Sequence, residues 1–405
     1  MTAPPDRRAF LGVLGGLSLI GADGPNRTGI RSRPANPTSD FLFDDGLVYL
    51  QTGSLGPTPR PVIDRVMAVW RELERNPVAL GYGTLETAQD EVRQTAAAFL
   101  GCGTEEIVLT GSTTEGMNWV AQGLHLKPGD RVLTTDQEHP GGRSCWDYLV
   151  RTAGVILDEV RIPPDLHDAA EIVDRFSRAI KPDTRVLSFS HLLTSTGLRM
   201  PVAELSALAR TRGAVSVVDA AQAAGGIQVN VKALGADVYV TSGHKWLLAP
   251  KGTGILYLSE GLGTRVDPIA LQAGRVSYSG SSGVRNIPGL IGLGASLDYL
   301  TGKGPAATEA HNLALRNRLH AALADVPRLT VVSAPPGPLA SPLLTYTLPA
   351  DVPSDRLYRQ LYERHRVVVK VVPGQWLNGN RISTHLFNSE ADVDALVAGL
   401  RRELA

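Results

Sequence analysis

Cysteine is scarce: Cys102 and Cys145 are the only two in 405 residues. That excludes a disulfide scaffold and a cysteine-rich zinc site, and leaves room for one bridge at most. The nine histidines are scattered without ligand spacing, so no metal is expected. Neither sign of charge is in excess, since 40 Lys and Arg balance 40 Asp and Glu. A dedicated nucleic-acid binder would show a basic surplus, and nucleic acid is therefore not an expected partner. Beyond the first residues no run of about 18 apolar residues occurs, so no membrane-spanning helix is expected. What is present is ordinary globular composition, 43% hydrophobic and 20% charged. At this length the chain can bury a large core divided over two to three domains.

Residues 1–39 read apart from the rest, as a leader and lead-in. Arg7-Arg8-Ala9-Phe10-Leu11 precedes a small-residue apolar stretch, Gly12 to Ala22. This resembles a twin-arginine export signal, whose pathway carries folded, cofactor-loaded proteins. The expected location is periplasmic or secreted, with the twin-arginine machinery as a partner; a leader without function would leave the protein cytoplasmic.

From residue 40 to 300, short β-branched runs alternate with helical stretches. The expected strands are Ile107–Thr110, Arg131–Thr135, Arg185–Ser190, Ser216–Asp219, Asp237–Thr241 and Gly254–Leu258. Such runs suit a mostly parallel sheet buried on both faces. Glu86–Leu100, Ala169–Ile180 and Val202–Thr211 carry helical spacing between them, which makes this an α/β layered domain. Thr301-Gly302-Lys303-Gly304-Pro305 reads as a break. Residues 301–405 then read as a smaller α+β domain. Its helices are expected at Ala306–Leu323, Ser354–His365 and Ser389–Leu404, with β-like runs at Leu343–Thr347 and Val367–Val372.

The chemistry concentrates where one strand runs into Ser242-Gly243-His244-Lys245 and another, upstream, ends in Asp219-Ala220-Ala221-Gln222. Open α/β sheets place their sites at such strand ends. A lysine and an aspartate so placed suit pyridoxal phosphate (PLP): the amine joins the cofactor, and the carboxylate pairs with the pyridinium nitrogen. Taken singly, the lysine reads as well as a solvated charge and the aspartate as a turn or helix cap.

With the flanking motifs, residues 45–403 resemble the class V aminotransferase family of fold-type I PLP enzymes. That family includes the cysteine desulfurases and an isopenicillin N epimerase-like group. The resemblance implies a large PLP-binding domain with a helix-sandwiched, mostly parallel sheet, a smaller α+β C-terminal domain, and a homodimer. It implies Lys245 as the Schiff-base lysine, Asp219 as the pyridinium partner and Gln222 as a hydrogen-bond partner of the ring oxygen. His139, in Gln137-Glu138-His139-Pro140, matches the histidine that stacks on the ring. Thr113-Thr114-Glu115-Gly116 matches the phosphate-binding turn, where free N–H groups at a helix start suit a dianion. Ser242 and His244 match further phosphate contacts, and Thr194 a position facing the cofactor. Arg381, in Asn380-Arg381-Ile382-Ser383, matches the arginine for the substrate carboxylate.

Two departures shape the expected reaction. The desulfurases carry a nucleophilic cysteine before the carboxylate arginine, and residues 367–380 contain none. A Cys-dependent desulfurase is therefore not expected. Val284 stands where relatives place a threonine that reaches the partner subunit's phosphate. The expected function is a PLP enzyme working on an amino-acid group of a small-molecule or peptide metabolite, by epimerisation or tailoring chemistry. The alternatives are a C–S β-lyase or aminotransferase of primary metabolism and, outside enzymes, a ligand-binding protein of the same fold.

Overall fold

The computed structural model describes residues 40–262, 265–274 and 279–405. The proposed export signal and lead-in lie outside the described residues. In chain order the strands are β1 (Val48–Tyr49), β2 (Ile107–Thr110), β3 (Arg131–Thr135), β4 (Ile156–Val160), β5 (Thr184–Ser190), β6 (Val215–Asp219), β7 (Val238–Ser242) and β8 (Gly254–Leu258). The C-terminal part adds β9 (Thr330–Val331), β10 (Leu343–Thr347), β11 (Val367–Val368), β12 (Lys370–Val371) and β13 (Gly379–Ser383).

The large sheet has the order β2-β8-β7-β6-β5-β3-β4. Strands β7, β6, β5, β3 and β4 run parallel, while β8 is antiparallel to both of its neighbours. Alternation along each strand sends side chains to opposite faces. Ile107, Leu109, Val218, Tyr239, Ile255 and Tyr257 pack on one face against helices Thr84–Leu100, Ala169–Ala179, Val202–Thr211 and Ile287–Lys303. Val108, Val217, Val238, Val240 and Leu256 pack on the other against helices Thr113–Gly123 and Pro140–Ala153. Both faces are dry, which is why these strands read as continuous apolar runs.

The small antiparallel sheet has the order β12-β13-β10-β9. Leu344, Tyr346 and Ile382 turn one face into a core with helices Pro305–Leu323, Ser354–His365 and Glu390–Leu404. Val48 and Leu50, from far upstream, join that core, and β1 pairs in parallel with β11. The opposite face of the small sheet turns toward the large domain.

Three local expectations need revision. Helix Ile287–Lys303 continues through Thr301 and Gly302, and the chain turns only at Gly304, which has φ +83°. Val367–Val372 is divided between two sheets instead of forming one strand. Cys102 and Cys145 are free thiols.

Candidate active site

The candidate residues collect where the parallel strands end, at the side of the large sheet that meets the small domain. Asp219 is the last residue of β6, and Ser242 the last of β7. Asp219 shares the strand face of Val217, so it looks toward helix Pro140–Ala153. Its Oδ1 accepts the Ala221 N–H at 2.9 Å, and its Oδ2 lies so close to Gly142 that a Cβ there would overlap it. Asp219 is 6% exposed. Burial raises its pKa, while the Ala221 N–H and the Lys245 charge act against that.

Lys245 follows β7 in the turn after Ser242. Burial lowers its amine to about 8, despite the attraction of Asp219, and the charges of Arg381 and Lys370 add to the lowering. His139 is the N-cap of helix Pro140–Ala153. Its Nδ1 accepts the Gly141 N–H at 3.0 Å, which leaves the ring proton on Nε2. Burial, then the charges of Lys245, Arg381 and Lys370, push it down to about 3, which favours the neutral imidazole.

At the other end, helix Thr113–Gly123 opens with Ser112 as N-cap, whose Oγ accepts the Glu115 N–H at 3.2 Å. The Thr113 N–H donates to Ser242 Oγ at 3.0 Å, and the two hydroxyls are 2.8 Å apart. Thr114 Oγ1 lies beside Gly141, next to His139. Hydroxyls and a helix N-terminus thus converge on one spot, a donor set suited to a phosphate. His244 is half-buried, with its pKa lowered to about 4 by burial and the neighbouring Lys245 and Lys251. No hydrogen bond ties its imidazole to this cradle among the described residues.

A further cluster is assembled across the two domains. Arg381, at the centre of β13 and 3% exposed, donates from Nη1 to the Thr194 carbonyl at 2.8 Å and to Thr194 Oγ1 at 2.5 Å. Its Nε has no partner, and no carboxylate pairs with it among the described residues. Burial pushes its pKa down to about 10. Gln222 Nε2 donates to the Gly53 carbonyl at 2.9 Å and to Thr194 Oγ1 at 3.4 Å, while its Oε1 accepts the Trp246 indole N–H at 2.8 Å. Reaching a ring oxygen would require Gln222 to give up Thr194. A Cβ on Gly53 would lie 2.8 Å from Arg381 Nη2, so glycine there lets the N-terminal segment close over the guanidinium.

These residues fit PLP on their own geometry. A dianion cradle lies at one end and a buried carboxylate beside a glycine-thin helix in the middle. An amine of lowered basicity adjoins them, and an unpaired buried guanidinium marks the far end. When bound, PLP supplies an electron sink for negative charge developing at an amino-acid Cα. Sequence reasoning did not single out Glu138, Gly142 or Lys370 as site residues. Glu138 is 7% exposed and accepts from Thr135 Oγ1 at 2.7 Å and Ser190 Oγ at 2.6 Å; burial raises its pKa to about 7. Its place beside His139 in the chain was the available signal.

The fold and site define a PLP-dependent enzyme of fold type I, acting on amino-acid substrates through Schiff-base chemistry. The family model described as Aminotransferase class-V matches residues 48–396, and the chain belongs to that family. It is 31% identical over 383 residues to an isopenicillin N epimerase of Streptomyces clavuligerus, covering 89% of this chain and 96% of that one. It is 32% identical to a cysteine desulfurase of Serratia proteamaculans, covering 88% and 93%. In fold it is similar to the apo cysteine desulfurase of Thermococcus onnurineus NA1, with TM-score 0.79, 24% identity and coverage of 93% and 99%.

The desulfurase relatives correct one expectation. Lack of a cysteine in 367–380 does not set this chain apart from the cysteine desulfurases, which align with nearly its whole length. The physical reason is that bond cleavage at the amino acid depends on the lysine and the electron sink.

Proposed function

We propose that this enzyme cleaves the Cβ–S bond of a cysteine-type amino acid, as a desulfurase-like lyase: the Cα proton goes to Lys245, the sulfur departs with its electron pair as a thiolate, and hydrolysis of the carbon product gives a 2-oxo acid and ammonia. The observation that carries its amino-acid specificity is Arg381, a buried guanidinium with a free Nε and no acid partner. A buried cation left unpaired is costly, and a substrate carboxylate would relieve it with bidentate hydrogen bonds. The preference for C–S cleavage is supported by the alignment with cysteine desulfurases.

In this reading Lys245 carries the cofactor and, once released by the substrate, takes up the Cα proton. Asp219 would pair with the pyridinium nitrogen, and His139, with Nε2–H available, would stack on the ring. Thr113, Thr114 and Ser242 would hold the phosphate, with His244 turning to join them; Gln222 and Thr194 would serve the ring's oxygen side. A second reading, epimerisation at Cα, is supported by the alignment with isopenicillin N epimerase. For location, Arg7-Arg8-Ala9-Phe10-Leu11 alone supports export, and recovery of the protein in the periplasmic fraction would test it.

One experiment separates the two reactions. The PLP-loaded enzyme is incubated with L-cysteine and L-cystine in D2O, and sulfur release and Cα deuterium are measured together. Sulfur release that disappears in Lys245→Ala is the expected result. Cα deuterium in a recovered, racemised amino acid with no sulfur released would overturn C–S cleavage in favour of epimerisation.

A further inference from the structure

Two cations stand side by side on the face of the small sheet that looks at the site. Arg381 on β13 lies directly opposite Lys370 on β12 and Thr345 on β10. Opposite residues of an antiparallel pair share a face, with Cβ atoms about 4.5–5.5 Å apart. Leu344, Tyr346 and Ile382 occupy the other face and fill the core, so the row Thr345–Arg381–Lys370 faces away from it. Lys370 is half-buried. Its ammonium makes no hydrogen bond or ion pair among the described residues. Its place opposite Arg381 puts it on the face that looks at the site, and its charge adds to the lowering at His139 and Lys245.

Two adjacent like charges, one buried and one half-buried, repel, and no carboxylate pairs with either among the described residues. The carboxylate of an α-amino acid satisfies one guanidinium fork. A cofactor phosphate would have its own donors at Thr113 and Ser242, which meet each other on different elements. One positive charge is therefore left over at Lys370.

We propose that Lys370 binds a second anionic group of the substrate, so that the site prefers an α-amino acid bearing an additional acid, such as a side-chain carboxylate or sulfinate. The inference rests on the reading of Lys245 and Arg381 as the amino-acid site. It adds a substrate class to that reading.

The test uses the PLP-loaded enzyme and two probes without an amino group, butyrate and succinate, in calorimetric titrations at low ionic strength. Succinate is expected to bind about tenfold more tightly than butyrate, the gain of one charge-assisted contact. Lys370→Met should remove that advantage and leave butyrate binding unchanged, whereas Lys370→Arg should keep it. Equal affinities in the wild type, or a preference for succinate that survives in Lys370→Met, would overturn the proposal. If butyrate binding is lost in Arg381→Gln while succinate has no advantage, the amino-acid site stands and only the second-anion role falls. If neither acid binds the wild type, both fall. The wild-type comparison decides the matter even where a variant fails to fold.

Discussion

Lys245 has an amine held near 8 because burial outweighs the pull of Asp219. Below that pH the amine is protonated and cannot attack an aldehyde; above it the neutral form dominates. Capture of PLP by the apo-protein should accordingly quicken as pH rises and level off above about 8, followed by visible absorbance. A profile centred near the ordinary lysine value would show that the pocket does not act on the amine. The same lowering affects stability. The unfolded lysine binds its proton up to a higher pH than the folded one, so this group's contribution to stability rises with pH between about 8 and 10.5. Lys245→Ala should lose about 10²–10⁴-fold in turnover and give no lysine-linked adduct on borohydride reduction.

At the scale of elements, the period of two in β6 sets Val217 and Asp219 on the face of helix Pro140–Ala153. That helix answers with Gly142, which keeps Asp219 Oδ2 clear of a side chain. Gly142→Ala should push the helix off the carboxylate, with an overpacking cost of about 1–3 kcal/mol in urea denaturation and weaker PLP retention. Gly302→Ala is the counterpart within a helix. Nothing lies within 4 Å of its added Cβ, so the substitution should leave stability unchanged or raise it by up to about 1 kcal/mol. If both variants behaved alike, close approach would not be the reason for glycine at 142.

At the scale of the molecule, the N-terminal segment ties the two domains together. Leu50 is fully buried in the small-domain core. Its N–H donates to the Val368 carbonyl at 3.0 Å, and its carbonyl accepts the Ser383 N–H at 2.9 Å. Three residues on, Gly53 meets both Arg381 of the small domain and Gln222 of the large one. Leu50→Ala should cost about 2–5 kcal/mol of stability, and should raise KM for the amino acid more than it lowers kcat. A change in stability with KM untouched would separate the core from the site.

The chain alone determined the alternation of apolar runs with helical stretches, and the polar groups at the strand ends. Both are local: a strand buried on both faces needs a continuous apolar run, and parallel strands leave their polar ends at one edge of the sheet. Asp219, the last residue of β6, and Lys245, in the turn after β7, stood out for that reason; Arg381, in the middle of an antiparallel strand, and His139, at a helix start, were marked only by the family resemblance. Strand β4 was not legible, because it is the sheet's edge and carries Asp158 and Glu159 at its centre. Helix Ile287–Lys303 was hidden in another way: Gly289, Gly292 and Gly294 interrupt it, and it is buried nearly all round, which erases helical periodicity. Only the tertiary structure set Lys370 opposite Arg381, Gly142 against Asp219 and Gly53 over the guanidinium. Register across strands and the approach of distant backbones depend on how whole elements pack, and no local run of residues encodes them.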